Sequence, residues 1–169
     1  MRLIHYTDSP IESLDSREYN QKNLNWQAKP DGLWFSVEDV GNHHNDYNWK
    51  EWCEEQGYRV EALTVTYEII LKEYANILHL KTEQEILEFT KQFRLKTRVW
   101  DAEWDTYNLE WNEVKKKYQG IIISPYQWNC RLALETCWYY GWDCSSGCIW
   151  DLSCIKEFIP QEVHAEATH

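Results

Sequence analysis

The chain reads Gly32-Leu33-Trp34-Phe35-Ser36 directly after Lys29-Pro30-Asp31. Pro, Asp and Gly in this order indicate a turn, and the residues that follow predict a buried strand over Leu33–Val37. Two further segments have the same character, Leu3-Ile4-His5-Tyr6-Thr7 near the start and Ser146-Gly147-Cys148-Ile149-Trp150-Asp151 near the end. Each predicts a short strand that carries a polar or aromatic residue where a ligand could meet it. We therefore expect one ligand cleft, assembled from distant parts of the chain.

The other elements follow from hydrophobic periodicity and from capping and turn residues. Strands are predicted at Glu61–Leu71, Asn76–Leu80, Gly120–Ser124, Gly147–Asp151 and Ile155–Ile159. Helices are predicted from Trp49 to near Gly57, after the capping box Thr82–Glu85, over Asn108–Tyr118, and as one or two turns within Trp128–Cys137. A loop or a short helical turn is predicted from Asp8 to Pro30, which includes Tyr19 and Trp26, and a loop from Gly41 to Asn48, which includes His43 and His44. Strands outnumber helices and the order is mixed, so we predict an α+β fold.

Length and composition indicate a single domain rich in aromatic residues. The 169 residues suffice for one sizeable core. We expect a domain over residues 1–160 and a disordered polar tail over residues 161–169. The 11 Trp and 11 Tyr predict an aromatic core and rim, and both side chains also carry a polar group suited to a wet cleft.

The charge disfavours nucleic acid as a partner. The net charge is −11, and the densest basic run, Lys115-Lys116-Lys117, is interpreted as a solvated helix face. A protein partner is therefore favoured. The sequence shows neither a signal peptide nor the run of about 20 apolar residues that spans a membrane, so we expect a cytoplasmic protein with no membrane partner.

The six cysteines are interpreted as reduced thiols, and the last three of them as buried small apolar side chains. Cys144, Cys148 and Cys154 invite a zinc reading, but their spacing lacks a C-x2-C pair and no His lies among them. No metal is expected. The Gly-rich phosphate loops and the common hydrolase motifs are missing from the sequence.

The three segments resemble the ADP-ribosyltransferase superfamily, in the His-Tyr-Glu branch that includes diphtheria toxin and the poly-ADP-ribose polymerases. His5 lies in Ile-His-Tyr-Thr much as the family's ribose-binding His does, and Gly32–Ser36 is similar to the family's Gly-Ile-Tyr-Phe segment, with Trp34 at the position that stacks on nicotinamide. Cys148–Ile155 resembles the family's closing pair of strands. The segments are also similar to those of a group of small phage and bacterial proteins. The resemblance implies a split mixed β-sheet core with a few short helices and NAD bound, as a substrate, between the first two strands.

One position departs from the family pattern. The resemblance puts Ser146 where the family has the Glu that polarises the ribose 2′-hydroxyl, and a serine supplies no negative charge. The nearest acid is Asp143, which either takes that role or leaves a site that binds NAD and turns it over weakly. The implied catalytic residues are His5, Trp34 and Asp143.

The NAD-binding set and the function follow from the same resemblance. The set comprises His5, Tyr6, Thr7, Trp34, Phe35, Ser36, Trp49 and Ser146, with Tyr47 and Trp52 as further candidates for a second aromatic wall. The implied activity is mono-ADP-ribosyl transfer to a macromolecule, of the toxin or phage–host conflict type, in the cytoplasm or host cytoplasm and open to control by a regulatory or antitoxin partner. The alternatives are a non-catalytic module that binds NAD, ADP-ribose or a protein, and NAD hydrolysis.

Overall fold

A computed structural model describes residues 1–14, 29–40, 46–99 and 102–161, with the side chains of residues 97–99 and 102–107 left out. The predicted loop positions Tyr19, Trp26, His43 and His44 lie outside the described residues. Residues 162–169 of the expected tail do so too.

The described chain is an α+β structure with nine strands and four α-helices. The strands are β1 (Leu3–Thr7), β2 (Leu33–Val37), β3 (Val65–Leu71), β4 (Ile77–Leu80), β5 (Arg94–Val99), β6 (Ala102–Leu109), β7 (Gly120–Ile123), β8 (Ser146–Ile149) and β9 (Ile155–Gln161). The helices are α1 (Trp49–Gln56), α2 (Glu83–Phe93), α3 (Trp111–Lys117) and α4 (Trp128–Leu132), and short 3₁₀ helices cover Val60–Leu63, Leu134–Gly141 and Leu152–Cys154.

Seven of these strands form one mixed sheet in the order β4-β7-β8-β2-β1-β3-β9. The β4–β7 pair is parallel, and the other neighbours are antiparallel. Strands β5 and β6 form a separate antiparallel hairpin. The predicted α+β class is confirmed.

A hydrophobic cluster covers each face of the seven-stranded sheet. Alternation along β7 sends Ile121 and Ile123 into one cluster and Ile122 into the other, as a strand buried on both faces requires. The first cluster also holds the inward faces of α2 and α3 and the rings of Trp138 and Trp142. Because Trp34 packs against the first cluster and Phe35 belongs to the second, neighbouring residues of β2 serve opposite faces.

Several element boundaries differ from the sequence predictions. The strand predicted from Glu61 starts at Val65, because a 3₁₀ turn occupies Val60–Leu63. The helix predicted from Asn108 starts at Trp111, because Asn108 and Leu109 close strand β6. The predicted turns within Trp128–Cys137 break at Ala133, whose backbone is extended, and continue as a 3₁₀ helix.

The end of the chain also needs correction. Strand β8 covers Ser146–Ile149 rather than Gly147–Asp151, and the Asp151 side chain accepts a hydrogen bond from the backbone N–H of Ser153. Gln161, expected in the tail, is the last residue of β9 and pairs with Thr66 of β3. No prediction covered the β5–β6 hairpin.

Candidate functional site

The candidate site lies where strands β1 and β2 separate. These strands pair only at Leu3↔Val37 and Ile4↔Ser36. Beyond that point β1 continues its pairing with β3 as far as Thr7, whereas β2 continues its pairing with β8 as far as Leu33. The seven-stranded sheet therefore opens between β1 and β2, and a cavity of about 340 Å³ is lined by both strands there.

All of the predicted catalytic and NAD-binding residues line this one cavity, which we call the cleft. Strand β1 and the residue after it contribute Ile4 to Asp8, and β2 contributes Trp34 to Ser36. The remaining lining residues are Lys29, Trp49, Arg59, Ala62, Trp142, Asp143, Cys144 and Ser146. The structure thus brings together three segments that are far apart in the sequence.

Trp49 adds a further aromatic ring to the cleft lining, and the start of α1 positions it. Asn48 caps this helix, with its side chain accepting from the Glu51 N–H while the Glu51 carboxylate reaches back to the Asn48 N–H. The backbone N–H of Trp49 donates to Ser36 Oγ at 2.8 Å, which fixes the start of the helix against β2. Trp52 stacks behind Trp49, with ring centroids 5.2 Å apart. Trp52 and Tyr47, the other candidates for a second aromatic wall, are not among the residues that line the cleft.

His5 presents a hydrogen-bond acceptor at the opening of the sheet. Its Nδ1 lies 2.7 Å from the carbonyl oxygen of Trp34, and a carbonyl only accepts, so Nδ1 carries the proton. Burial lowers the pKa of His5, and the bond to Trp34 opposes this shift. The lowered pKa favours the neutral ring, whose Nε2 then holds a lone pair.

Two side chains of the cleft contact the Trp34 ring. The Trp142 ring meets it edge to face, with centroids 4.8 Å apart and planes at 63°. The Lys29 Nζ lies over the Trp34 ring, 4.9 Å from its centroid. Burial lowers the pKa of Lys29, and the nearby carboxylate of Asp143 opposes this shift. The Lys29 side chain therefore already lies over the ring that is predicted to stack on a ligand.

Asp143 is an ion-paired acid rather than an isolated one. Arg131 NH2 lies 3.2 Å from Asp143 Oδ1, and only about a fifth of each side chain is exposed, 18% and 20%. Burial raises the pKa of Asp143, while Lys29 and Arg131 lower it. The Arg131 guanidinium is itself held between the rings of Trp128 and Tyr140, at 5.4 and 5.1 Å.

The hydroxyls of the cleft lining already have partners within the protein. Ser146 Oγ donates to the Cys144 carbonyl at 3.0 Å, and Tyr6 OH donates to Glu38 Oε1 at 3.1 Å. Thr7 Oγ1 donates to the Ser9 carbonyl at 3.2 Å. These contacts build the walls of the cleft, whereas His5 Nε2 and the second oxygen of Asp143 make no hydrogen bond to another described residue.

Cys144 does not fit the role of a nucleophile. It lines the cleft but is 2% exposed, and burial raises the pKa of its thiol well above the usual range. The reactive form of cysteine is the thiolate, so this side chain packs as a small apolar group. Cys144, Cys148 and Cys154 are buried, as predicted, and so are Cys53 and Cys130, whereas Cys137 is exposed.

Sequence reasoning missed four charged or aromatic residues of the site: Lys29, Arg59, Arg131 and Trp142. Arg59 lines the cleft with a left-handed backbone (φ 46°), which is uncommon for a residue other than Gly. Lys29 stands directly before the Pro-Asp-Gly turn and close to Trp34 in the sequence. Its position in the sequence could therefore have indicated that it lies near the cleft. Nothing local in the sequence marks Arg131 as the partner of Asp143.

Among the described residues, no group of three His, Cys, Asp or Glu side chains is arranged to hold a metal ion. No helix there has the length and apolar character needed to cross a bilayer. No protein-family model, curated protein or solved structure matches the chain.

Proposed function

We propose that the cleft between β1 and β2 binds NAD and that the domain transfers its ADP-ribose to a macromolecular acceptor, as a member of the ADP-ribosyltransferase superfamily. The observation that carries the proposal is the convergence of three separate segments on one cavity of about 340 Å³. The same three segments carry the resemblance to the NAD-binding family. A cavity of this size lies within the range of small-molecule sites.

The polar groups of the cleft suit the ribose next to nicotinamide. The neutral His5 accepts a hydrogen bond from a ribose hydroxyl at Nε2, since Nδ1 is held by Trp34. Asp143 has a second oxygen to accept the 2′-hydroxyl while Arg131 holds Oδ1. In this proposal Asp143 replaces the family's Glu and stabilises the positive charge that develops when nicotinamide leaves.

The acceptor in this proposal is a protein, and the setting is the cytoplasm or a host cytoplasm. A net charge of −11 disfavours an extended contact with nucleic acid phosphates. A role in toxin or phage–host conflict, with a regulatory or antitoxin partner, agrees with the group that the sequence resembles. No metal takes part in the proposed chemistry.

The first test measures NAD binding by calorimetry. Trp34→Ala and His5→Ala should each weaken binding at least about tenfold, because they remove the stacking surface and the ribose acceptor. The chain offers matched controls outside the cleft. Tyr74→Ala removes a ring that is 82% exposed, and His79→Ala removes another imidazole bonded to a backbone carbonyl. If the parent, the cleft variants and the controls all bind NAD equally well, or none of them binds it, the cleft is not an NAD site.

The second test measures turnover with NAD labelled separately in nicotinamide and in the adenylate half. Released nicotinamide together with labelled protein supports transfer, whereas free ADP-ribose supports hydrolysis. Asp143→Asn should lower the release of nicotinamide more than it lowers NAD affinity, because the charge acts on the transition state. Unchanged turnover in Asp143→Asn would remove this residue from the mechanism.

A second candidate is a non-catalytic module that holds NAD or ADP-ribose. It is favoured by two observations, the engaged hydroxyl of Ser146 at the family's Glu position and the ion pair between Asp143 and Arg131. Ser146 supplies no negative charge at that position, and the ion pair with Arg131 reduces the negative charge that Asp143 can offer to the reacting ribose. This candidate predicts binding that depends on Trp34 and His5, with no nicotinamide released at any enzyme concentration.

A further inference from the structure

The Asp143 carboxylate has a charged partner that does not itself line the cleft. Arg131 lies on the short helix α4, and its NH2 is 3.2 Å from Asp143 Oδ1. Asp143 is among the residues that line the cleft, and Arg131 is not. The guanidinium therefore binds one oxygen of Asp143, whereas the second oxygen makes no hydrogen bond to another described residue.

Three aromatic side chains surround the Arg131 guanidinium. Its central carbon lies 5.4 Å from the Trp128 ring centroid and 5.1 Å from the Tyr140 ring centroid, within the range of cation–π contacts. Arg131 also lies near the Tyr126 hydroxyl, since burial raises the pKa of Tyr126 and Arg131 opposes this shift. Only 18% of the Arg131 side chain is exposed. A guanidinium packed in this way loses less freedom in an ion pair than a mobile surface side chain does.

The backbone next to Asp143 is anchored by the same tyrosine. The Tyr126 hydroxyl donates to the carbonyl oxygen of Trp142, the residue directly before Asp143, at 2.6 Å. Tyr126 and Trp142 are both buried. Asp143 thus has two constraints, one on its backbone through Trp142 and one on its side chain through Arg131, and together they limit where its second oxygen lies.

Charge is the second effect of Arg131 on Asp143. Burial raises the pKa of Asp143, while Lys29 and Arg131 lower it. The titratable and charged groups that face Asp143 from the neighbouring elements are Lys29, Cys53, Tyr126, Arg131 and Cys144. Burial raises the pKa of Cys53, Tyr126 and Cys144, so these three are uncharged near neutral pH. Lys29 also interacts with other groups of the chain, whereas Arg131 forms a direct ion pair with Asp143.

We propose that Arg131 is a positioning residue, which keeps Asp143 ionised and fixes one of its oxygens so that the other can accept the ribose 2′-hydroxyl. This role rests on the proposed function, because it concerns the carboxylate that takes the place of the family's Glu. The ion pair has two opposite effects on Asp143. It withdraws part of the negative charge, and it prevents the complete loss of charge that protonation of a partly buried carboxylate brings. Because the second effect is the larger, removal of Arg131 should slow the release of nicotinamide.

The experiment measures nicotinamide release and NAD affinity at several pH values for the parent and its variants. Arg131→Met keeps an unbranched stem and removes the charge. Release near neutral pH should fall at least about tenfold, which is the effect of losing a hydrogen bond between charged groups, and NAD affinity should change less. Part of the lost rate should return at higher pH, where Asp143 ionises again. Arg131→Lys keeps the charge without the planar fork, so its rate should be lower and its pH profile that of the parent.

Two further variants separate the ion pair from folding and from general effects. Tyr140→Ala removes a ring that is 59% exposed and keeps Arg131, so it should fold and should lower release in the same direction by a smaller factor. It decides the question where Arg131→Met folds poorly. Arg94→Met is the matched control, because Arg94 is another arginine bonded within the chain, to the Glu135 carbonyl at 3.0 Å, and lies outside the cleft. Its release should equal that of the parent.

A direct measurement follows the titration of the Asp143 carboxyl carbon by NMR, with the signal assigned by its loss in Asp143→Asn. The pKa of Asp143 should rise in Arg131→Met and stay close to that of the parent in Arg131→Lys, because only the first variant removes the counter-charge. This readout does not depend on activity. A merely structural role of Arg131 would leave the pKa of Asp143 unchanged in every folded variant.

The outcomes separate the two proposals. Slower release in Arg131→Met, together with a raised pKa of Asp143, supports the positioning role. If an active parent releases nicotinamide no faster than Arg131→Met, or if the pKa of Asp143 is the same in both, Arg131 has no such role, although the transferase function stands. If the folded parent binds NAD and releases no nicotinamide, the transferase function fails and the positioning role falls with it.

Discussion

The two halves of the seven-stranded sheet differ in how deeply their strands are buried. Every residue of β7 and β8 is buried, whereas no residue of β9 is buried and only two of the seven residues of β3 are. The half that contains β7 and β8, β4-β7-β8-β2, which we call the buried half, carries Trp34 and Ser146, although only one of the four residues of its edge strand β4 is buried. The exposed half, β1-β3-β9, carries His5, and the two halves join through only two residue pairs between β1 and β2.

This difference explains how the sheet can hold a cleft without losing its core. Helices α2 and α3 cover the buried half with a continuous apolar cluster, so β2 needs no further pairing with β1 to stay in place. The exposed half gains its order from pairing with β2 over two residues and from its own β3–β9 ladder. Local unfolding needs the least free energy where buried apolar contacts are few. We therefore expect β1, which carries His5, to open before β2, which carries Trp34.

The largest expected effect contrasts the same deletion in the two halves. Ile121 of β7 is 0% exposed and Ile159 of β9 is 38% exposed. Ile121→Ala should lower the free energy of unfolding by about 4 kcal/mol, because it leaves a cavity in a packed core, and Ile159→Ala by less than about 1 kcal/mol. Urea denaturation of both variants measures this. Similar losses at the two positions would show that the halves are equally packed.

The next effect concerns the close approach of β2 and β8. Gly147 faces Phe35 in the register, and an added Cβ would lie 2.5 Å from the Ile121 carbonyl oxygen and 2.7 Å from a Phe35 ring atom. Gly147→Ala should cost about 1–3 kcal/mol, because backbone and a packed ring must both shift. Gly141→Ala is the control, since its Cβ would meet only the flexible end of Lys29. Denaturation curves that coincide for the two variants would contradict this packing.

The buried half was also the easier half to predict from the sequence. Gly120–Ile123 is a continuous apolar run, and a strand buried on both faces has that pattern. The hairpin β5–β6 was missed because its sequence mixes charged and polar residues, so only pairing with its partner strand reveals it. The start of β3 was misplaced because Val60–Leu63 has strand-like residues but forms a 3₁₀ turn.

For the cleft, the sequence predicted the residues but not the charges around them. His5, Trp34 and Asp143 could be chosen because each stands in a segment whose pattern resembles a known motif. Arg131 and Lys29 stand in no such motif, and their contacts depend on how Gly141 and Asp143 are brought beside them by the fold. Tertiary placement of a long flexible side chain leaves no periodicity in the sequence.

A smaller effect compares two capping boxes. Thr82 caps α2 on the buried half, and Asn48 caps α1 beside the cleft. Thr82→Ala and Asn48→Ala should each lower the free energy of unfolding by about 1 kcal/mol. Only Asn48→Ala should also weaken NAD binding, because it loosens Trp49, which lines the cleft. NAD titrations and denaturation curves of both variants measure the two effects. Equal NAD affinity in the two variants would show that the start of α1 does not contribute to the site.

The smallest effect is the pH dependence that His5 adds to the exposed half. Burial lowers the pKa of His5 below its ordinary value of 6.5, so the folded state favours the neutral ring and the unfolded state binds the proton more readily. The stability that the neutral ring contributes is present above pH 6.5 and is lost as the pH falls through the lowered pKa of the folded state. In His5→Asn, which keeps an N–H donor for the Trp34 carbonyl, this contribution is removed. The difference in unfolding free energy between parent and variant should therefore shift against the parent as the pH falls below 6.5. The NAD affinity of the parent should fall in the same pH window, because a protonated Nε2 no longer accepts a hydrogen bond.

Denaturation at several pH values measures the difference in unfolding free energy between parent and variant, in which the contributions of the other titrating groups cancel. An NMR titration of His5 at or above pH 6.5, with a constant difference in stability, would mean that the ring is solvated and that the exposed half contributes no acceptor to the cleft.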